Sequence, residues 1–239
     1  MSLTPHNYAA HGHTPLVTGA MRLGDLVCQN YQLLLITTRY GIPLGFGERT
    51  ISQCCTEYGV DEHTLLLIIN LTVGHYSVLS PTQLRQINLD ALIAYLSNSH
   101  SYFLDFRLPE LRHRLLSAIS NCPAELNTMI KRFFDEYVEE VRKHMNYEDK
   151  VVFPYARNLA AGQPDPGYSI SIFMKKHDHI EVKITELKNL LIRYFPTSGG
   201  YEFSNVLNDI FSSEYELAAH NLIEDDIFVP YIEMLERER

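Results

Sequence analysis

Residues 144–155 read HMNYEDKVVFPY, and residues 220–231 read HNLIEDDIFVPY. The two stretches share His, Glu, Asp, Pro and Tyr at the same five of twelve positions, and in both an apolar triplet precedes the proline. In each, His and Glu stand four residues apart. On an α-helix that places both side chains on one face, one turn apart, where both reach one inward point. Asp149 and Asp225 sit one residue further on and rotate away, which leaves Glu148 and Glu224 as the better ligand candidates. Val141, Met145, Val151 and Val152 flank the first pair; Leu217, Ile223, Ile227 and Phe228 flank the second. A His–Glu pair in such surroundings is costly to bury unless something satisfies it.

Around these stretches the pattern predicts four long amphipathic helices, over about 88–120, 124–158, 169–194 and 203–237. AAGQPDPG (160–167) and PTSGG (196–200) are loops between them. Short connections between long helices point to an all-α fold, an antiparallel four-helix bundle over residues 84–239. Pro109 is expected to kink or split the first helix after Leu108. Upstream, residues 22–40 form an apolar helical stretch. RTISQCCTEYGV and DEHTLLLIINLT then read as two short helices meeting near Gly59, with Asp61 as an N-cap. The expected organisation is a flexible tail over 1–21, a small helical domain over 22–72, a linker near 72–82, and the bundle.

The duplicated motifs fall on the second and fourth helices. These run parallel in an up-down-up-down bundle, so both motifs can sit at one height. The first helix supplies His100, and the third supplies His177 or His179. Ile180, Ile184 and Leu187 share the face of His177, at +3, +7 and +10, which favours His177. Four imidazoles and two carboxylates, with at least one ligand per helix, suit iron or manganese, and two metal ions better than one. The expected metal ligands are therefore His100, His144, Glu148, His177, His220 and Glu224. His63, His75 and His113 have no partner motif and read as structural or exposed. His6, His11 and His13 belong to the tail.

Composition narrows the function. The chain has 239 residues, 46% of them hydrophobic, and a net charge of −9. That charge disfavours a protein that coats nucleic acid. No apolar run reaches the roughly 18 residues of a membrane helix, and the N-terminus has no secretory-signal pattern. Cys28, Cys54, Cys55 and Cys122 follow neither zinc nor disulfide spacing, which fits a reducing cytoplasm.

As a set, several pieces resemble the hemerythrin-like HHE cation-binding domain, and within that class the di-iron iron–sulfur cluster repair family. They are His100 followed by Leu-Pro-Glu-Leu (108–111), the HxxxE and apolar-Phe-Pro of helix two, His177-Asp178, and the HxxxE and apolar-Pro of helix four. The resemblance covers residues 84–237 and, weakly, 22–72. It implies two iron ions in a non-haem di-iron centre with room for a bridging oxo group. His100, His144, His177 and His220 would be terminal ligands, and Glu148 and Glu224 would bridge. The implied role is repair of iron–sulfur clusters damaged by oxidative or nitrosative stress, by iron donation or by NO and O2 chemistry. Damaged iron–sulfur proteins would be the partners, with no membrane and no nucleic acid, and the protein would be a homodimer.

This chain departs from the repair family in two places. The family's N-terminal Cys-Cys-Gly-Gly loop has no counterpart in GIPLGFGERT (41–50); Cys54 and Cys55 fall in the following helix instead. Helix one carries a single His, flanked by Ser99 and Ser101, where the family often has a second one nearby. The alternative function is an O2- or NO-binding sensor or carrier, including an iron-dependent regulator whose N-terminal helix–turn–helix reads DNA. Against DNA reading, the second of the two short helices offers no Arg or Lys for phosphates or guanine.

Overall fold

The computed structural model describes residues 15–75, 78–175, 180–195 and 201–238. The protein is all-α, with no strand among the described residues beyond one isolated bridge between Arg22 and Thr50. The helices are α1 (Leu23–Gln29), α2 (Leu33–Arg39), α3 (Ile51–Tyr58), α4 (Glu62–Thr72), α5 (Pro81–Arg85), α6 (Leu89–Ser101), α7 (Leu108–Ala118), α8 (Ala124–Tyr147), α9 (Phe153–Ala160), α10 (Ile170–Met174), α11 (Ile180–Tyr194), α12 (Tyr201–Ile223) and α13 (Val229–Arg237). Three π-helical segments link consecutive helices: π1 (Tyr102–Arg107), π2 (Glu148–Val152) and π3 (Glu224–Phe228).

The chain forms two compact units. One comprises the described residues within 1–99, 156–164 and 219–239, and the other those within 100–155 and 165–218. The second unit holds the four-helix bundle. Its core draws Phe103, Leu111 and Leu115 from π1 and α7, Phe134, Tyr137 and Val141 from α8, Ile184 and Leu187 from α11, and Val206 and Ile210 from α12. Their spacing of three and four residues is the apolar stripe that makes each helix amphipathic. Lys188 is buried there, and the interior tolerates its ammonium because Glu214 accepts from it. Thr185 Oγ1 donates to the other Glu214 oxygen at 2.6 Å.

In the first unit, α3 and α4 meet at Gly59. Its φ of +68° ends α3 in the left-handed conformation that glycine adopts without strain. The Asp61 side chain caps α4, accepting from the Thr64 N–H at 2.8 Å, as its position predicts. Thr50 and Gln53 close a reciprocal capping box on α3. Helix α4 buries Leu65, Ile68, Ile69 and Leu71. The apolar stretch of residues 22–40 is two helices rather than one, because the chain leaves helical geometry at Asn30 (φ −135°, ψ 87°). Arg39 at the end of α2 donates to Tyr95 Oη of α6 at 3.2 Å, and its carbonyl accepts from Asn98 Nδ2 at 2.7 Å. At residues 15–21, Val17 is buried and exchanges hydrogen bonds with the Asn70 side chain.

Pro109 does not end the first bundle helix. The chain passes through π1 and resumes α-geometry at Leu108, with Pro109 second in α7. The same arrangement recurs at Pro154 in α9 and Pro230 in α13. In all three, the residue before the proline donates its N–H five residues back: Leu108 to Phe103, Phe153 to Glu148, and Val229 to Glu224. A proline lacks an N–H, and its ring clashes with the carbonyl four residues back in α-geometry. A π turn widens the helix and relieves that clash. The apolar-Pro signature of the duplicated stretch thus marks a widened turn inside a continuing helix.

Candidate metal centre

In the bundle unit, π2 begins at Glu148, whose side chain is fully buried. Its two oxygens face two imidazoles: His144 Nε2 lies 2.6 Å from Oε1, and His100 Nε2 lies 3.0 Å from Oε2. His144 comes from the last turn of α8, so the four-residue spacing read from the sequence does bring it onto Glu148. His100 comes from the end of α6 and is buried.

The His100 ring is held on three sides by residues of the 144–155 stretch. Glu148 meets Nε2, Asp149 Oδ1 lies 3.0 Å from Nδ1, and Phe153 stacks on the ring face with centroids 5.6 Å apart and planes at 12°. Burial pulls the imidazole toward its neutral form. The hydrogen bonds to Asp149 and Glu148, together with their charges, outweigh burial and lift its pKa to about 9. His144 has the Phe173 ring beside it, centroid to centroid 6.4 Å. Tyr155 is buried against Tyr168, whose hydroxyl is 3.0 Å from that of Tyr147.

In the other unit, His220 and Glu224 are both fully buried, and His220 Nε2 lies 3.3 Å from Glu224 Oε1. Glu224 opens π3 as Glu148 opens π2. Each copy of the duplicated stretch therefore delivers one His–Glu pair with a buried carboxylate on the first residue of a π turn; His220 is buried as well, whereas His144 is half-buried. Such turns are frequent at functional sites.

Among the described residues, each unit holds a buried imidazole and carboxylate able to take part in holding a metal ion, His100 with Glu148 in one and His220 with Glu224 in the other. The donor chemistry fits: imidazole nitrogen and carboxylate oxygen, with no thiolate. Within the bundle unit the fit is also metric. The 3.0 Å between His100 Nε2 and Glu148 Oε2 is that of neighbouring ligands on one ion with bonds of about 2.0–2.2 Å, whereas the 2.6 Å between His144 Nε2 and Glu148 Oε1 is a hydrogen-bond distance. His177 and His179 lie outside the described residues, as do His6, His11 and His13. His113 is exposed on α7. His63 and His75 each place a ring nitrogen 3.2 Å from a backbone carbonyl, of Gln83 and Pro15 respectively.

The sequence reading set Asp149 aside as pointing away. In the structure its Oδ1 meets the His100 ring at Nδ1, the nitrogen that Glu148 does not take. The available signal was its identity in both copies of the stretch. The cysteines stand apart from this chemistry. Cys54 and Cys55 are buried on α3, and burial, with a smaller contribution from the Glu62 charge, pushes the Cys55 thiol up to about 12. A thiol so hard to ionise is a poor nucleophile and a poor ligand.

An all-α bundle with a buried His/Glu group defines a metal-binding helical protein. The chain belongs to the hemerythrin HHE cation-binding domain family, whose model matches residues 91–232, more than half of its length. No curated protein matches the chain. No helix among the described residues is long and apolar enough to cross a membrane.

Proposed function

We propose that this protein holds a non-haem di-iron centre and acts in the repair of iron–sulfur clusters damaged by oxidative or nitrosative stress. His100, His144, His177 and His220 are the terminal ligands of this reading, and Glu148 and Glu224 the bridging ones. The observation that carries it is the buried Glu148 carboxylate with one imidazole on each oxygen, at 2.6 and 3.0 Å. A carboxylate so placed can be shared by two ions, each taking its own histidine. Two bound ferrous ions would supply one-electron chemistry and positions for NO or O2.

The chain's own residues supply the rest. Glu148 and Glu224 offset the charge of the metals inside an apolar interior. Phe153 packs on the His100 ring, and Phe173 lies beside His144. The buried Cys54 and Cys55 leave the work to the metal rather than to thiol exchange.

The test takes an iron–sulfur dehydratase inactivated by NO and incubates it anaerobically with the iron-loaded protein. Repair predicts that activity returns faster than with an equal amount of free Fe(II), and that the Glu148→Ala variant gives no such gain. Recovery no faster than with free Fe(II) would overturn the repair role. Reversible NO binding without any recovery would replace it with the carrier or sensor.

A further inference from the structure

Two adjacent acids, Glu148 and Asp149, meet opposite edges of one imidazole. Successive side chains on an α-helix diverge by about 100°, which ordinarily sends neighbours to different targets. Here they open π2, where more residues per turn reduce that divergence. The imidazole carries its two nitrogens on different edges, so the longer Glu148 side chain takes Nε2 inside the core. The shorter Asp149 takes Nδ1 from the rim, where its side chain stays 36% exposed.

We infer that Asp149 is the positioning residue of His100: its carboxylate accepts the Nδ1–H at 3.0 Å, fixes the tautomer, and commits Nε2 to metal ligation beside Glu148. This deepens the metal-centre reading and rests on it. A carboxylate behind a ligating histidine holds the ring in orientation and raises its basicity, and losing it typically costs about 10–100-fold in metal affinity. The arrangement also gives the acid of the duplicated Glu-Asp pair its own task. Glu148 faces the metal, and Asp149 holds the histidine that a different helix contributes.

The experiment compares wild type, Asp149→Ala, Asp149→Asn, His100→Ala and the Asp149→Ala/His100→Ala double variant. Anaerobic Fe(II) titration gives affinity. Nitrogen-15 histidine NMR of the Zn(II)-loaded protein gives the tautomer. The expected results are about 10–100-fold weaker Fe(II) binding in Asp149→Ala, and no further loss from Asp149→Ala once His100 is gone. Wild-type His100 should carry its proton on Nδ1 with Nε2 bound. Asp149→Asn keeps an acceptor and a near-identical shape, so it should fold, keep that tautomer and lose less affinity. Unchanged affinity in Asp149→Ala, an equal loss without His100, or a wild-type ring bound through Nδ1 would each overturn the inference while leaving the metal centre standing. A wild-type protein that binds neither ion would defeat both.

Discussion

The Glu148 carboxylate and its two histidines are separated from the cysteines by chemistry as well as by sequence. At the centre, imidazole nitrogens and carboxylate oxygens crowd together: Oε1 and Oε2 face Nε2 atoms at 2.6 and 3.0 Å. That is stable only with a proton or a metal between them. At Cys55, burial does the reverse and keeps a thiol neutral. Iodoacetamide at pH 8 should therefore label the exposed Cys28 first and reach Cys54 and Cys55 only on unfolding, as peptide mass spectrometry would show. The pH dependence follows from the sign of the shift. The folded Cys55 pKa lies above the ordinary value of 9.0, at about 12. Its contribution to stability is thus whole below pH 9 and is lost as pH rises from 9 to 12. Urea unfolding of wild type and Cys55→Ala should show a steeper alkaline decline in the wild type. Equal slopes would contradict the buried thiol.

At the scale of elements, the π turns tie the fold to the site. Each lies just before an apolar-Pro pair, and two of them start on a glutamate of the metal group. Replacing Pro154 by Ala restores an N–H able to bond the Lys150 carbonyl and removes the ring that forbids α-geometry there. The metal-free protein should then gain about 2–4 °C in Tm. Fe(II) affinity should fall several-fold as Glu148 and Asp149 rotate out of their places on His100. A higher Tm with undiminished affinity would show that the π turn is dispensable to the centre. Much of this level was legible in advance. Apolar periodicity gave the bundle helices, Asp61 and Gly59 gave the α3–α4 turn, and the i,i+4 spacing gave each His–Glu pair. The π turns were not, because proline in a helical pattern signals a break, and only the backbone shows that the helix widens instead. Asp149 was missed for a related reason: ideal α-geometry turns it away from Glu148, and nothing in the spacing reveals a ring with a second edge to meet.

At the scale of the whole molecule, the HHE match over residues 91–232 and the buried His/Glu group make metal binding the property on which everything else depends. A net charge of −9 gives no help to a nucleic-acid partner, and α4 presents no Arg or Lys that could read DNA. The helices upstream of the bundle are held by hydrogen bonds of their own, among them Asn70 to Val17 and the Asp61 cap on α4, and these need no metal to form. Loss of the metal ligands should therefore empty the centre without unfolding the chain. The most direct measurement is metal content by mass spectrometry on anaerobically purified protein, taken with the optical spectrum, for wild type and the His144→Ala/His220→Ala variant. About two irons per chain in wild type, lost in a variant that keeps its helix content, is the predicted result. Less than about a tenth of an iron per chain, with wild type and variant indistinguishable, would make the duplicated stretch a structural device and contradict the di-iron centre.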